Sequence, residues 1–285
     1  MPDISVITPA YHADAFIAEA VRSVLTQSGC DFEIVIASDD QCNYEQLLQQ
    51  QGITDSRIRC VYTGGIGTGP ARARNAALRA ASGRCVIFLD ADDLLRPAAM
   101  QTIHKAVKSY GAVYYDTQCV SFSQDEMVHN YGRLMPTGVT CLQDVLTSSV
   151  QHAINIAFDR HRLSDIFFLE QFPVWEDLLF LASVCDRFNG LYHIAIPLYV
   201  YRRRAGSLCN NPEAGKLFYD TAKKILEALY AEAIPGLSPP TRTLLTRYFT
   251  RRQEIERIFM QAEAAGHYRD YNHFMGENLD LFYTL

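Results

Sequence analysis

The stretch Arg84-Cys85-Val86-Ile87-Phe88-Leu89-Asp90-Ala91-Asp92-Asp93 places three carboxylates directly after an apolar run. The apolar run is typical of a parallel strand that is covered on both faces. Ligands of open parallel sheets bind at the carboxyl ends of the strands. We therefore expect Asp90 and Asp92 at the mouth of a binding site.

These carboxylates suit a divalent cation. Mg²⁺ and Mn²⁺ take oxygen ligands, commonly one or two carboxylates, and complete their shell with water and substrate phosphate. The alternative is that the acids solvate a turn before a helix, with Pro97 at an early helical position and residues 98–108 continuing it. Repulsion among the three acids favours the cation, so the sequence predicts a metal site for a diphosphate.

Apolar strands alternate with helical patterns upstream of this stretch. The predicted strands are 4–8, 32–37 and 58–62, and the predicted helices are 13–27, 44–51 and 70–81. Such alternation predicts a parallel sheet with helices on both faces. The loops 9–11, 38–40 and 90–92 should then converge on one crevice.

A glycine-rich segment, Gly64-Gly65-Ile66-Gly67-Thr68-Gly69-Pro70, precedes the third helix. It lacks Gly-Lys-Ser/Thr and does not follow the first strand, so neither a P-loop nor a dinucleotide fingerprint is supported. We interpret it as a loop that delivers Arg74 and Asn75 to the crevice; an ordinary helix start is the alternative.

Composition narrows the class of protein. The chain has 285 residues, 48% of them hydrophobic, and a formal net charge of -6, which argues against a general nucleic-acid binder. Its eight cysteines form no Cys-x-x-Cys pair and are expected to be reduced thiols. The first strand begins too early to leave room for a signal peptide, and no apolar run is long enough to span a bilayer. We expect a cytoplasmic protein, with peripheral contact at the inner face of the membrane left open.

The second half of the chain is less regular. Residues 111–147 show poor periodicity, whereas 178–187 predicts a helix and 191–201 predicts a strand. The C-terminal part is mainly helical, with an apolar face and several arginines. We expect that face to pack against the rest of the chain or a second copy; contact with an anionic membrane is the alternative.

Six stretches occur in a specific order along the first two hundred residues. They are ISVITPAY at 4–11, EIVIASDD at 33–40, GPARARN at 69–75, DAD at 90–92, WED at 175–177 and YVYRRRAGS at 199–207. This ordered set resembles the inverting glycosyltransferases of family 2. The resemblance implies an α/β GT-A fold, a Rossmann-like, mostly parallel sheet with helices on both faces. It also implies a catalytic domain at 1–210, with a nucleotide-binding half at about 1–97 and an acceptor half at about 98–210, followed by a C-terminal helical region at 211–285.

The resemblance also implies roles for residues that contact the nucleotide. Pro9 and Tyr11 belong to the opening loop, and Tyr11 would stack on the base; a core aromatic is the alternative for Tyr11. Asp39 or Asp40 would accept a hydrogen bond from a uracil ring. Gln41 and Cys42 stand where the family usually has glycine and serine.

Further roles concern the diphosphate and the chemistry. The metal ligand would be Asp92, and Asp90 would hold ribose or a metal-bound water beside Ala91. The base would come from Asp177 or Glu176, with Asp177 favoured; charge at a helix N-terminus is the alternative. The remaining nucleotide contacts implied are Arg74, Arg202, Arg204 and Ser207, although the arginines at 202–204 could instead form a solvated loop.

The implied reaction uses Mn²⁺ or Mg²⁺ as its cofactor. It moves a hexose or N-acetylhexosamine from a nucleotide sugar, with UDP the expected nucleotide, to a saccharide or lipid-linked acceptor in polysaccharide or lipopolysaccharide synthesis. One alternative is a haloacid-dehalogenase-like phosphatase, which also places Asp-x-Asp after a strand. Leu94 stands where that motif usually has threonine, and three strands precede it. A second alternative is an inactive protein that binds sugar nucleotides.

Overall fold

The computed structural model describes residues 1–121, 135–148, 154–163, 165–203, 213–268 and 271–282. Its first part contains four parallel strands in the order β3-β2-β1-β4. Their bounds are β1 Ile4–Ala10, β2 Phe32–Ser38, β3 Ile58–Tyr62 and β4 Cys85–Phe88, and the intervening helices are α1 Ile17–Leu25, α2 Tyr44–Gln50 and α3 Pro70–Ala80. The alternation predicted from the sequence is confirmed.

The sheet continues from β4 in the order β8-β6-β9-β5, with β7 paired to β9. In this half β8 runs antiparallel to β4 and β6, whereas β6 and β9 are parallel. The bounds are β5 Leu94–Leu95, α4 Ala99–Tyr110, β6 Ala112–Ser121, β7 Gly138–Thr140, α5 Leu142–Ser148, β8 Ile156–Asp159, a 3₁₀ turn at Arg160–Arg162, α6 Glu176–Phe188 and β9 Leu191–Arg203.

The start of α4 differs from the sequence prediction. Pro97 lies before the helix, and Ala98 has a left-handed backbone with a φ of 61°. The reason is that Arg96 still belongs to the sheet edge, where its N–H donates to the Leu198 carbonyl at 2.9 Å. The chain therefore needs two further residues to turn before the helix begins.

In the described part of the chain after the sheet there are four helices: α7 Ala214–Tyr230, α8 Pro239–Ala264, α9 Tyr271–Glu277 and α10 Leu279–Phe282. Pro239 occupies the first turn of α8, and the Ser238 side chain caps it by accepting from the Thr241 N–H. Asp186 near the end of α6 accepts from both the N–H and the hydroxyl of Ser238. The long helix α8 is thus tied to α6 at its first residues.

Side chains on the two faces of the sheet enter two separate cores. Val6, Ile34 and Ile87 face α1, α2 and α4, whereas Ile7, Val35 and Phe88 face α3, α5 and α6. The second core also includes residues of α7 and α8. Phe218 of α7 and Phe249 of α8 pack there against Trp175, the residue before α6. Within the described residues, no helix is both long and apolar enough to cross a membrane.

Candidate active site

A cavity of about 610 Å³ lies at the carboxyl ends of β1, β2 and β4. Its walls combine the loops after these strands, the start of α3, the start of α6 and parts of β6, β9, α7 and α8. Of the predicted site residues, those that line it are Pro9, Tyr11, Asp39, Arg74, Asp90, Ala91, Asp92, Glu176 and Asp177. The three loops expected to converge do so.

Tyr11 stands at the open end of the cavity. Its residue is 49% exposed, and its ring tilts against His12 with centroids 4.1 Å apart. A side chain so exposed is not a core aromatic, so that alternative for Tyr11 is excluded. The ring offers an apolar surface to a planar ligand.

Asp39 and Asp40 have different surroundings although they are adjacent. Asp39 is buried, and its carboxylate accepts from Thr63 Oγ1, Thr68 Oγ1 and the Gly69 N–H. Two of these bonds reach Oδ1 and one reaches Oδ2, so Oδ2 keeps one site for a further donor. Asp39 also lines the cavity.

The carboxylate of Asp40 has no such site left. It accepts from the His12 N–H, the Tyr44 hydroxyl, the Ser38 hydroxyl and the Cys42 N–H. Burial opposes ionisation, but these four bonds lower the pKa of Asp40. Asp40 is not a cavity-lining residue, so it braces the loops after β1 and β2.

The glycine-rich segment wraps around Asp39. Besides the bonds to the carboxylate, the Gly67 N–H donates to the Asp39 carbonyl at 2.8 Å. Gly69 has a φ of 99°, which favours glycine, and it leads directly into α3. The sequence did not predict this anchoring, because it joins residues up to 30 positions apart.

Arg74 connects the two groups of acids. Arg74 is 5% exposed, and its guanidinium donates to Asp90 Oδ1 at 2.9 Å and to Glu176 Oε1 at 2.8 Å. Burial disfavours the cation, but these carboxylates and Asp177 raise the pKa of Arg74 further, so it stays charged. One buried cation therefore links the turn after β4 to the start of α6.

Asn75 makes a second link across the same boundary. Its side chain is buried, donates to the Phe168 carbonyl and to Glu170 Oε1, and accepts from the Phe168 N–H. These bonds place the segment before α6 against α3. The sequence pattern predicted that Asn75 lies at the crevice, but it did not predict these bonds to the segment before α6.

Asp93 turns away from the cavity. It is 1% exposed and accepts from the Tyr199 hydroxyl at 2.6 Å and the Arg202 N–H at 2.8 Å. Burial, then repulsion from Asp92 and Asp90, raises its pKa well above the usual value. The Tyr199 oxygen also accepts from the Asp90 N–H at 3.1 Å. Asp93 thus anchors the turn to β9.

The half-buried Asp92 lines the cavity one residue before Asp93. Within the described ranges, no three histidines, cysteines or acids form a metal-binding cluster. A cation that takes one or two carboxylates and completes its shell with phosphate and water needs no such cluster. Asp92, with the 29% exposed side chain of Asp90 beside it, fits this type of site.

The start of α6 presents Glu176 and Asp177 differently. Glu176 is 5% exposed and accepts a hydrogen bond from Arg74. Asp177 is only partly buried and accepts a hydrogen bond from the N–H of Leu178. Burial and the charge of Asp177, opposed by Arg74, raise the pKa of Glu176 to about 8. Burial likewise raises the pKa of Asp177. Two adjacent acids with elevated pKa values are typical of a site for proton transfer.

Arg202 is not a cavity-lining residue. Its Nε donates to the Asp92 carbonyl, and its guanidinium pairs with Glu19 on α1. In this position it supports the backbone of the turn after β4, and a contact from Arg202 to phosphate stays a prediction. Arg204 and Ser207 lie outside the described residues.

Comparison with known proteins places these features in context. The sequence model of the family described as "Glycosyl transferase family 2" matches residues 5–167. The putative teichuronic acid biosynthesis glycosyltransferase TuaG of Bacillus subtilis is 32% identical over 213 residues, which cover 74% of this chain and 82% of TuaG. The UDP-Glc:alpha-D-GlcNAc-diphosphoundecaprenol beta-1,3-glucosyltransferase WfgD of Escherichia coli is 37% identical over 91 residues, 32% of this chain and 35% of WfgD.

Solved structures also share the fold, and two of them carry a bound donor. Staphylococcus aureus TarS in complex with UDP-GlcNAc superposes with a TM-score of 0.65 at 20% identity, over 88% of this chain and 72% of that one. The mannosyltransferase PcManGT of Pyrobaculum calidifontis, in complex with GDP-Man and Mn²⁺, superposes with a TM-score of 0.58 at 19% identity, over 93% and 75%. The GT-A fold expected from the sequence is confirmed.

Proposed function

The chain belongs to glycosyl transferase family 2, and from this membership we propose that it transfers a hexose or N-acetylhexosamine from a UDP-sugar, with inversion at the anomeric carbon. A saccharide or a lipid-linked saccharide is the acceptor, in polysaccharide or lipopolysaccharide synthesis. The names of TuaG and WfgD and the UDP-GlcNAc bound to TarS support this assignment. The phosphatase alternative receives no support from these relatives. A cytoplasmic location, with peripheral contact at the inner face of the membrane, belongs to the same proposal.

One observation carries the proposal: Arg74 joins Asp90 and Glu176 across a single cavity. This ion pair holds the turn that would bind the donor diphosphate against the helix that would supply the base. Donor and acceptor groups that meet in one fixed geometry react as if they were at very high concentration. The proposed division into a catalytic domain at 1–210 and helices at 211–285 places both groups in the former.

The nucleotide would lie between Tyr11 and Asp39. The exposed ring of Tyr11 stacks on the base, and Asp39 Oδ2 accepts from the base N–H, because that oxygen keeps an open site and Asp40 has none. Pro9 and Ala91 form the walls beside it. Arg202, Arg204 and Ser207 are proposed as contacts to the diphosphate.

The cation, Mn²⁺ or Mg²⁺, would be held by Asp92, with Asp90 beside it. When bound, it neutralises charge that develops on the departing nucleotide diphosphate. Asp177 would accept the proton of the acceptor hydroxyl as that oxygen attacks the anomeric carbon. Its raised pKa suits this role, since a base works best with a pKa near the working pH. Glu176 keeps Asp177 in place through Arg74.

Calorimetric titration tests the donor site. The wild-type chain is titrated with UDP, GDP and dTDP, with and without Mn²⁺, beside Asp92→Asn and the control Asp31→Asn. Asp31 is exposed at the opposite end of β2 from the cavity. We expect one nucleotide to bind, about tenfold or more weakly without the cation or in Asp92→Asn, and unchanged in Asp31→Asn. Absence of binding to any nucleotide would contradict the proposal.

A further inference from the structure

Trp175, the residue before Glu176 and Asp177, has an unusual backbone. Its φ is 68° and its ψ is 3°, in the left-handed region that a bulky side chain rarely adopts. Such a conformation persists only where surrounding contacts enforce it. The direction in which α6 presents its first two acids depends on this residue.

Side chains from α7 and α8 surround the indole ring. The Arg252 guanidinium lies over the ring, 4.5 Å from its centroid. Phe218, Tyr248 and Phe249 approach it at steep angles, with centroid distances of 5.2, 6.3 and 5.8 Å. The contacts that fix Trp175 therefore come from helices beyond the end of the family match at residue 167.

Arg252 is itself fixed by a buried network. Its Nη2 lies 2.7 Å from Glu256 Oε1, and it also donates to the Tyr271 hydroxyl. The Tyr271 hydroxyl donates to the same Glu256 oxygen at 2.6 Å. Arg252 is 3% exposed and Glu256 is fully buried. The guanidinium is therefore oriented by two side chains that also bond to each other.

Such a network adds little to stability. Replacing a buried ion pair by apolar side chains of similar volume is often neutral or stabilising, because desolvation offsets the attraction between the charges. What the pair does provide is a fixed direction for a planar cation. Here the planar cation is Arg252, and it lies over the indole ring of Trp175, the residue that precedes α6.

We propose that Arg252, held by Glu256 and Tyr271, is a positioning residue that fixes Trp175 and so directs Asp177 into the cavity. The inference rests on the proposed function for its catalytic consequence, but its structural part does not. The C-terminal helices are thereby part of the catalytic apparatus and not only a covering layer.

The double variant Arg252→Met/Glu256→Gln tests this, since it removes both charges together. Its matched control is Arg251→Met/Glu254→Gln, which removes a partly exposed pair on the same helix. We expect the first variant to fold and to bind nucleotide with wild-type affinity. Its kcat should fall on the order of 10²-fold with the donor KM unchanged, as for a reacting group displaced by about 1 Å. The control should keep wild-type kcat.

Trp175 supplies a second readout because the chain has one tryptophan. In the Arg252 variant we expect a red shift of its emission and faster quenching by acrylamide, and in the control neither. If the wild type shows no turnover, the proposed function fails, and the emission comparison alone decides whether Arg252 holds Trp175. A folded variant with wild-type kcat, or with unchanged emission, overturns the inference.

If the double variant does not fold, Arg252→Lys replaces it. Lysine keeps a charge for Glu256 but has no planar group to lie over the indole. We expect the same loss of kcat and the same change in emission, with nucleotide affinity kept. Wild-type values for both would overturn the inference.

Discussion

Two turns, one after β4 and one at the start of α6, each carry a pair of adjacent acids of which one is more buried than the other. After β4, Asp92 is half-buried and lines the cavity, whereas Asp93 is buried and does not line it. At the start of α6 both acids line the cavity, but Glu176 is buried and Asp177 only half-buried. The buried partners differ in what holds them. Asp93 accepts from a hydroxyl and a backbone N–H, whereas Glu176 is paired with the cation of Arg74.

That difference separates two structural tasks. The neutral donors at Asp93 fasten its turn to β9, a contact within one edge of the sheet. The Arg74 cation that pairs with Glu176 also binds Asp90, so it fastens the start of α6 to the turn after β4. The more buried acid of each pair therefore makes the bonds that hold the two turns, and its half-buried neighbour lines the cavity.

The largest effect that this comparison predicts is on turnover. Asp177→Asn removes the proposed base while keeping the shape of the side chain. We expect kcat to fall by about 10²–10⁴-fold, the usual contribution of general-base catalysis. Nucleotide affinity should stay at the wild-type value, as measured by calorimetry beside the kinetic assay.

Glu176→Gln is the matched control for that substitution. It should keep most of the turnover, because the amide oxygen still accepts from Arg74. If the glutamine variant lost turnover and the asparagine variant kept it, the roles of the two acids would be reversed and the comparison between the turns would fail.

The connection between the turns can be weakened without removing its charge. Arg74→Lys leaves one ammonium group where a guanidinium now reaches both Asp90 and Glu176. We expect unfolding to become easier by about 2 kcal/mol, the usual value of one hydrogen bond between charged groups. Thermal unfolding measures this change. Arg72→Lys, on the exposed side of the same helix, should change nothing, and equal midpoints for both variants would contradict the link.

The smallest effect concerns how stability depends on pH. The pKa of Glu176 is raised to about 8 in the folded chain from an ordinary value of 4.5. Its contribution to stability is therefore complete below pH 4.5 and is lost as pH rises toward 8. In Glu176→Gln, the unfolding midpoint should therefore fall less steeply between about pH 5 and 8 than it does in the wild type.

Glu33 provides the opposite case on the same sheet. Although burial opposes it, hydrogen bonds led by those from Ser5 and Ser82 lower its pKa to about 2. Its contribution is present above pH 4.5 and is lost only as pH falls toward 2. Glu33→Gln should thus shift the midpoint without changing its slope between about pH 5 and 8. The slope to compare is that of the unfolding midpoint against pH. If Glu33→Gln flattened this slope, or if Glu176→Gln left it unchanged, Glu176 would not be the group that sets the pH dependence of stability.

The sequence predicted those parts of the molecule that depend on local pattern. The strands β1 to β4 are continuous apolar runs, and their loops had to meet at one edge of the sheet. Asp90 and Asp92 could be found because adjacent acids follow such a run, whereas the pair at 176–177 was found through the resemblance to the family. The contacts that hold the buried acids Asp93 and Glu176 were not predictable, since their partners lie about 100 residues away, at Tyr199, Arg202 and Arg74.

Other features were missed for related reasons. The loop around Asp39 and the contacts of Asn75 are hydrogen bonds between distant segments, which leave no periodic signal. Residues 111–147 gave little because two of the elements described there are short: β7 has three residues and α5 has seven. The position of Arg202 beneath Asp92 depends on how β9 crosses the sheet, and no local pattern specifies that crossing.

The anchoring of Asp93 to β9 bears on how the chain acquires its site during synthesis. Residues 1–97 carry both acids of the first turn, yet the hydroxyl and N–H that hold Asp93 lie at positions 199 and 202. A ribosome releases the first turn long before these partners. The first half of the chain can form its parallel strands early, but the turn after β4 gains its bonds to β9 only after about 100 further residues have been synthesised.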